Sequence, residues 1–445
     1  MKKITNTILS VVVIALLGGG AYLVLRPAAP IMTIPSLSPR SGSASLSSEF
    51  LNAQKSVDFY REEIQKHPDV LKNYIELAQL FQQEARVTGR HHEYIPKAQY
   101  LLGEVLNRDP QNFEATITRA SILMTMHQFT QAKELAESAI KTNSHNAMAY
   151  GVLCDAQVEL GDYDQAVKSC ESMMNIHPDT RSYARASYLR ELHGDPVGAR
   201  EAMKLAADAG AQGEENRAWA LYNLGKLFFN DGSLDTATFI FKGILEERPD
   251  YAFALSGLAQ VDRARGNIKE AVNLLSKASE TTPEHIFLEQ LADLYSAAGQ
   301  EESAAGVSKI VLNAFSQHEK DGWNIDREYA MFCANHGVNL AESLERIKKE
   351  YNVRPGNIDV LETYAWVLYN NGRAAEAIPY IEQAMQLGTK SCSLHQHASV
   401  IYAAAGQQEK ARAYRRQSVA ENQFVDAIVL PPAGKILQAS QRPIQ

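Results

Sequence analysis

Cysteine is scarce in this sequence: four in 445 residues, none in C-x2-C spacing. That excludes a disulfide scaffold and the commonest zinc and thiol-redox motifs. Acid is missing from the first 48 residues, where Lys2, Lys3, Arg26 and Arg40 are the only charges. The remaining chain carries 40 basic against 52 acidic residues, a balance that repels phosphate backbones and sets nucleic acid aside as a partner. No G-x4-G-K-[ST], H-E-x2-H or G-x-S-x-G occurs, nor a G-x-G-x2-G after a strand, so nucleotide, zinc-protease and serine-hydrolase chemistry have no foothold. What is present is apolar content of 45% against 22% charged, which excludes wholesale disorder and a multi-span membrane protein.

The one long uncharged run lies at the start. Behind Met1-Lys2-Lys3, residues Ile4 to Leu25 carry no charge and are almost continuously apolar from Ile8. As helix they would span about 33 Å, enough for a hydrocarbon core of about 30 Å. Arg26, Pro27 and Pro30 are poor neighbours for cleavage. Residues 1–26 therefore read as a transmembrane signal anchor in preference to a cleaved signal peptide. Lys2 and Lys3 hold the short end in the cytoplasm and place the rest outside it, in a periplasmic setting, or secreted if cleavage occurs. Residues 27–48, rich in proline, serine and alanine, read as a flexible stalk.

From residue 49 the sequence repeats. Glycines stand at Gly161, Gly194, Gly232, Gly266, Gly299, Gly337, Gly372 and Gly406, with gaps of 33, 38, 34, 33, 38, 35 and 34. Five residues after each stand Ala166, Ala199, Ala237, Ala271, Ala304, Glu342, Ala377 and Ala411, seven alanines in eight. Glycine supplies a left-handed residue that closes a first helix. Alanine removes bulk where a second helix crosses it. Apolar residues ahead of the glycines, such as Leu221, Leu224 and Phe228, fall at helical spacing on one face. Prolines such as Pro68, Pro110, Pro178, Pro249, Pro283 and Pro355 end the second helices.

This pattern resembles the tetratricopeptide repeat, with Tyr150, Leu153, Gly161, Tyr163, Ala166 and Pro178 as its best single match. The resemblance implies an all-α chain: a right-handed α-solenoid of tandem helix-turn-helix repeats over residues 49–423, about ten units, with residues 424–445 as a C-terminal cap and tail. From Ala184 onward the order of ordinary and widened repeats also resembles exported bacterial tetratricopeptide-repeat proteins, which as a group have no assigned activity. The wide Phe81 to Ala98 interval predicts a loop around Gly89-Arg90-His91-His92-Glu93, with further widenings near Ala209–Asn216 and Lys320–Asn324.

Chemistry is thin. His91, His92 and Glu93 are adjacent in sequence and poorly placed to converge on a metal, and His395 and His397 diverge on a helix. Cys154 and Cys170 face the two helices of one repeat and are expected as buried free thiols. No catalytic, cofactor or metal residue is assigned, and no small-molecule substrate. In such a solenoid the first helices line a concave face. The phase places Trp219, Tyr222, Lys226, Phe229, Asn230, Phe253, Arg263, Arg327, Met331, Trp366, Tyr369 and Asn370 on it, a set of aromatics and polar groups suited to a peptide. The expected function is non-catalytic: an interaction scaffold outside the cytoplasm, with a protein or peptide in its groove and the membrane met through the N-terminal helix. The alternative is a structural accessory subunit of a cell-envelope assembly or secretion complex.

Overall fold

The computed structural model describes residues 34–40 and 48–430. The expected anchor, most of the expected stalk and residues 431–445 lie outside them. Among the described residues there are 22 helices and no strand, and no helix is long and apolar enough to cross a membrane. Helix α1 (Ser48–Lys66) precedes ten helix pairs. The first helices of the pairs are α2 (Leu71–Thr88), α4 (Phe113–Thr125), α6 (Ala147–Leu160), α8 (Thr180–Leu192), α10 (Glu215–Asn230), α12 (Ala252–Ala264), α14 (His285–Ala297), α16 (Asp326–His336), α18 (Ile358–Asn370) and α20 (Cys392–Ala404). Their partners are α3 (His91–Arg108), α5 (Phe129–Thr142), α7 (Tyr163–Ile176), α9 (Pro196–Asp208), α11 (Leu234–Glu247), α13 (Ile268–Thr281), α15 (Glu301–Lys320), α17 (Leu340–Val353), α19 (Ala374–Ala384) and α21 (Gln408–Glu421). A short α22 (Val425–Ile428) follows.

The third pair shows how sequence makes a unit. Asn146 opens α6 by accepting from the Ala149 amide at 3.1 Å, and Gly161 closes it at φ +82°. Helix α6 is buried on several sides, through Ala149, Val152, Leu153, Cys154, Ala156 and Val158, because it packs on its own partner and on neighbouring first helices. Helix α7 buries one stripe, Tyr163, Ala166, Cys170 and Met173, at spacings of three and four. First helices line the inside of the coil for this reason, and second helices form its outer layer.

The alanine ladder holds in three dimensions. Ala166, Ala199, Ala237, Ala271 and Ala377 are fully buried, and Ala304 and Ala411 nearly so. The exception has a local cause. In the eighth pair Asn339 adopts φ +48° after Gly337, which lengthens the turn by one residue. The buried small residue is then Ser343, and Glu342 points outward to accept from the Tyr329 hydroxyl at 2.7 Å. The ladder also extends further towards the N-terminus than glycine alone indicates: His127, at φ +56°, stands five residues before the fully buried Ala132.

One expectation is corrected. Residues 89–93 are not an inserted loop. Helices α2 and α3 are each 18 residues long, against 13 and 14 in the next pair, so the extra residues add about one helical turn to each. His91, His92 and Glu93 form the first turn of α3.

Six pairs complete one turn of the coil, and the next turn rests directly on the first. The contacts recur at a separation of about 195 residues. Arg248 reaches Glu49 at 2.7 Å; His91 reaches Glu284 at 2.9 Å; the Asn324 amide donates to the Met126 carbonyl at 3.0 Å. Asn357 Nδ2 donates to the carbonyls of Val158 and Glu159 at 3.3 and 3.0 Å. The Thr389 hydroxyl donates to the Leu192 carbonyl, and Asn422 Nδ2 to the carbonyls of Phe229 and Asn230 at 2.9 and 3.3 Å. Helices α2, α4, α6 and α8 thus meet the opening of a first helix six pairs later, and α10 meets Asn422 ahead of α22. Carbonyls left over at one helix end meet donors at the next helix start, and the helix dipoles run head to tail.

Candidate functional site

The inner faces of α2, α4, α6, α8 and α10 line a half-open cavity of about 1040 Å³. Helix α2 contributes a polar stripe of Gln79, Gln82, Gln83 and Arg86 at helical spacing, on the face away from the buried Tyr74, Ala78, Phe81 and Ala85. Two of these amides are braced. Gln79 Nε2 donates to Thr118 Oγ1 at 3.1 Å and Gln82 Nε2 to Ser121 Oγ at 2.7 Å. Across the cavity Arg185 forks onto Asp155 at 2.8 and 2.5 Å, and Arg86 reaches Glu215 at 2.5 Å. Trp219 lines the wall with 37% of its surface exposed, beside Asn223, whose Nδ2 donates to the Trp219 carbonyl at 2.8 Å, and the exposed Lys226.

Burial sets the electrostatics. It pushes the carboxyls of Glu191 and Glu215 up, against Lys226 and Arg86 respectively. The cavity therefore combines one aromatic platform, a row of neutral amides and charges of both signs. It has the chemistry of a binding surface, with rigid walls and many hydrogen-bonding groups.

Of the residues expected on an inner face, the structure brings only Trp219 and Lys226 to this cavity. Tyr222 packs between Phe241 and Phe253, with ring centroids at 6.0 and 5.4 Å. Phe253 also meets Phe287 edge-on, and Phe229 packs on the same core. Asn230 donates to Glu191 Oε1 at 3.2 Å. Arg263 is buried under the short C-terminal helix and donates to the Ala427 carbonyl at 2.9 Å. Arg327 pairs with Glu328 at 2.8 Å; it and His127 hold the Glu328 carboxyl down at about 2 despite burial.

Trp366 is corrected outright. It is 1% exposed, stacked on His397 at 4.0 Å and on Tyr369 at 5.1 Å, and its Nε1 donates to Asn335 at 2.8 Å. Asn370 donates back to the Trp366 carbonyl at 2.8 Å, and Met331 packs on the same core. The physical reason is that consecutive first helices pack on each other, so their inward stripe is shared between lumen and core.

The histidines disperse as well. His395 and His397 go to different carboxylates, Glu421 and Glu362, both at 2.8 Å. Among the described residues no group of three histidine, cysteine, aspartate or glutamate side chains is placed to hold a metal ion. Cys154 and Cys170 are both buried and free. The cavity's N-terminal half was missed by sequence reasoning. The α2 stripe, polar at 79, 82, 83 and 86 on the face away from Tyr74, Ala78, Phe81 and Ala85, was the signal that could have found it.

Comparison with known proteins agrees with the repeat pattern. The tetratricopeptide-repeat family model matches residues 123–188 and 228–287. Over 207 residues the chain is 26% identical to the cellulose synthase 1 operon protein C of Komagataeibacter xylinus, a match covering 44% of this chain and 16% of that protein. The chain thus spans a small part of the length of the curated relatives it matches. Among solved structures, a thermophilic tetratricopeptide-repeat protein of Thermus thermophilus is 20% identical, covering 40% of this chain and 92% of its own, with a TM-score of 0.35. Human IFIT1 with m7Gppp-AAAA is 13% identical, covering 83% of this chain and 87% of its own, with a TM-score of 0.45. The repeat ladder, the paired helices and the family-model match agree on tetratricopeptide repeats at residues 123–188 and 228–287.

Proposed function

We propose that this protein is a non-catalytic interaction scaffold that takes a peptide segment into the lumen of its first superhelical turn. The cavity of about 1040 Å³ with Trp219 on its wall carries the reading. Its volume is at the upper end of ligand sites, about 300–1,000 Å³, and suits a few residues of extended chain. The amides of α2 match a peptide backbone, which offers donors and acceptors at regular intervals, and Trp219 offers a rigid anchor of the kind that dominates peptide interfaces. The net acidity of the body favours neutral or basic partners, with capture weakening as salt rises.

The sequence of residues 1–26 supports a signal anchor and a body outside the cytoplasm. The alternative, a structural accessory subunit of a cell-envelope assembly or secretion complex, is supported by the likeness to cellulose synthase operon protein C. The two readings differ in what the lumen does. Selection of a displayed peptide library on the wild-type chain, with counter-screening on Trp219→Ala and Gln82→Ala, tests the first. Peptides that bind the wild type and lose binding on both variants support a lumen scaffold. Recovery of none, or of peptides indifferent to both changes, leaves the accessory subunit as the better reading.

A further inference from the structure

The two helices of the third pair carry one cysteine each, Cys154 on α6 and Cys170 on α7, and the repeat sets them opposite one another. Counted from the closing residue Gly161, they stand seven residues before it and nine after it. The same two places in the fifth pair, counted from Gly232, hold Gly225 and Phe241. A Cβ on Gly225 would lie 2.4 Å from Phe241 Cε1, so a side chain at the first place is aimed at the side chain at the second. The third pair repeats this approach three residues further out on both helices, where a Cβ on Gly151 would lie 3.0 Å from Met173 Sδ. Contacts of 151 with 173 and of 154 with 170 follow the register of two antiparallel helices along one face.

In the structure both thiols are free, 1% and 3% exposed, and belong to one apolar cluster with Val158, Ala166 and Leu189. Their sulfurs are within hydrogen-bonding reach of each other. The Cys154 thiol, donating to Cys170, holds the Cys170 thiol down and is itself raised; Arg185 lowers Cys170 further. Arg185 covers this place from α8, its Nε donating to the Gly151 carbonyl at 3.2 Å and to Asp155 Oδ1 at 2.8 Å. Packing alone does not call for a cysteine at 170, because larger residues, Phe241, Leu275 and Ile381, fill the same place in other pairs. The remaining cysteines, Cys333 on α16 and Cys392 on α20, belong to the eighth and tenth pairs, so only one pairing is available.

We infer that Cys154 and Cys170 form a disulfide that ties α6 to α7 under oxidising conditions. The Cys170 thiolate attacks a small-molecule disulfide, and Cys154 then displaces the mixed disulfide to close the bond. Two S–H bonds break and one S–S bond forms, while the oxidant takes up two electrons and two protons and leaves as two thiols. Burial shields both sulfurs, so the bond closes during folding or in transient openings of the hairpin. It would lie in the pair whose closing turn receives Asn357 and whose Asp155 lines the lumen, and it would stiffen the wall where the turns join. An exported body, as proposed above, meets such oxidants and a cytoplasmic one does not. The chemistry is independent of that placement, because the assay supplies the oxidant.

The test uses the full-length chain in mild detergent, refolded from urea in oxidised glutathione with a trace of the reduced form. The product is denatured without reductant, alkylated and mapped. The wild type should show Cys333 and Cys392 alkylated and the Cys154 and Cys170 peptides joined, lighter by two hydrogens. Oxidised protein should melt about 2 °C or more above the same protein reduced with dithiothreitol. Two variants keep the packing of other pairs: Cys154→Ala copies Ala259 and Ala292, and Cys170→Leu copies Leu275. In both, the joined peptide and the reductant-dependent shift should vanish. Four alkylated cysteines in the wild type, glutathione retained on either sulfur in place of the joined peptide, or a reductant-dependent shift that survives in both variants overturns the inference.

Discussion

Asn357 caps a helix to which it does not belong: its Nδ2 donates to the Glu159 carbonyl at 3.0 Å, although 198 residues separate the two. The same side chain opens its own helix through Oδ1. Arg354 adds a charge to the junction, donating to Glu159 Oε2 at 2.6 Å, and the Tyr163 hydroxyl accepts from the Ile358 amide at 2.9 Å. A solenoid is ordinarily held by nearest neighbours alone. Here contacts between turns make distant pairs support each other.

Asn357→Ala removes both roles and is expected to destabilise the fold by about 1–3 kcal/mol, from one lost cap and carbonyls left short of a donor in a buried place. Asn357→Asp keeps the cap and sets a negative charge against helix-end carbonyls, so it too should destabilise. Urea unfolding of both variants checks this. Near-wild-type stability in either would show that the junction contributes little.

Gly161 and Gly372 separate backbone strain from inter-turn contact. Both stand in left-handed backbone, at φ +82° and +75°. Alanine at either position should cost about 1–2 kcal/mol for that conformation. Only at Gly161 would the added Cβ also collide, 2.6 Å from the Asn357 nitrogen. Gly161→Ala should therefore be clearly the more destabilising in a chemical melt. Equal losses would mean that the turns can part without penalty.

The fold was legible because its signals are local. A glycine and an alanine five residues apart encode one helix turn and one crossing, and eight copies in phase leave little alternative. Even the Glu342 exception carried its reason nearby, in Asn339. The closure of one turn on the next was not legible. It depends on a small rotation summed over six units, and no local pattern records that sum. The site suffered for the same reason. Trp219 and Trp366 both fall on inward stripes of first helices, yet one faces the lumen and the other is covered by His397 and Tyr369. The stripe is wide enough to serve both purposes, and helical phase alone does not divide it.

Acid should loosen the seam where the rings of His91, His127 and His318 pack around Trp323, with centroids at 5.3, 6.1 and 4.8 Å. Burial, with His285 and His91 adding repulsion, holds His318 down at about 4 against Glu284 and Asp321. Burial also lowers His127, whose Nδ1 lies 3.0 Å from the Asn324 carbonyl. Unfolded, both titrate near 6.5. The unfolded chain then binds more protons, so the stability these neutral rings contribute is present above about pH 6.5 and lost as pH falls towards 4. His285 runs the other way: Glu289 raises it against burial, and its contribution is present at low pH and lost as pH rises through its shifted value. Urea melts at pH 7 and pH 5 should show a smaller loss in a His127→Asn, His318→Gln double variant than in the wild type. An equal loss would place the acid-sensitive groups elsewhere.

The two tryptophans give the sharpest separation of binding from folding. Trp366 is fully packed, with its Nε1 committed to Asn335, so Trp366→Ala leaves a large cavity and an orphaned amide. Its expected cost is about 3–5 kcal/mol of stability, with binding lost only where the protein unfolds. Trp219 keeps 37% of its surface open to the cavity, and truncation there should change stability by less than about 1 kcal/mol. If the lumen holds the partner, the same change should weaken capture by about 2 kcal/mol or more. Calorimetric melting and titration of a selected peptide, run on both variants, read the two quantities independently. Early melting of Trp219→Ala would move that residue from the lumen into the core. An unchanged peptide affinity in a stable Trp219→Ala protein would shift the binding surface away from this cavity and leave Gln79, Gln82 and Arg86 as bracing for the coil.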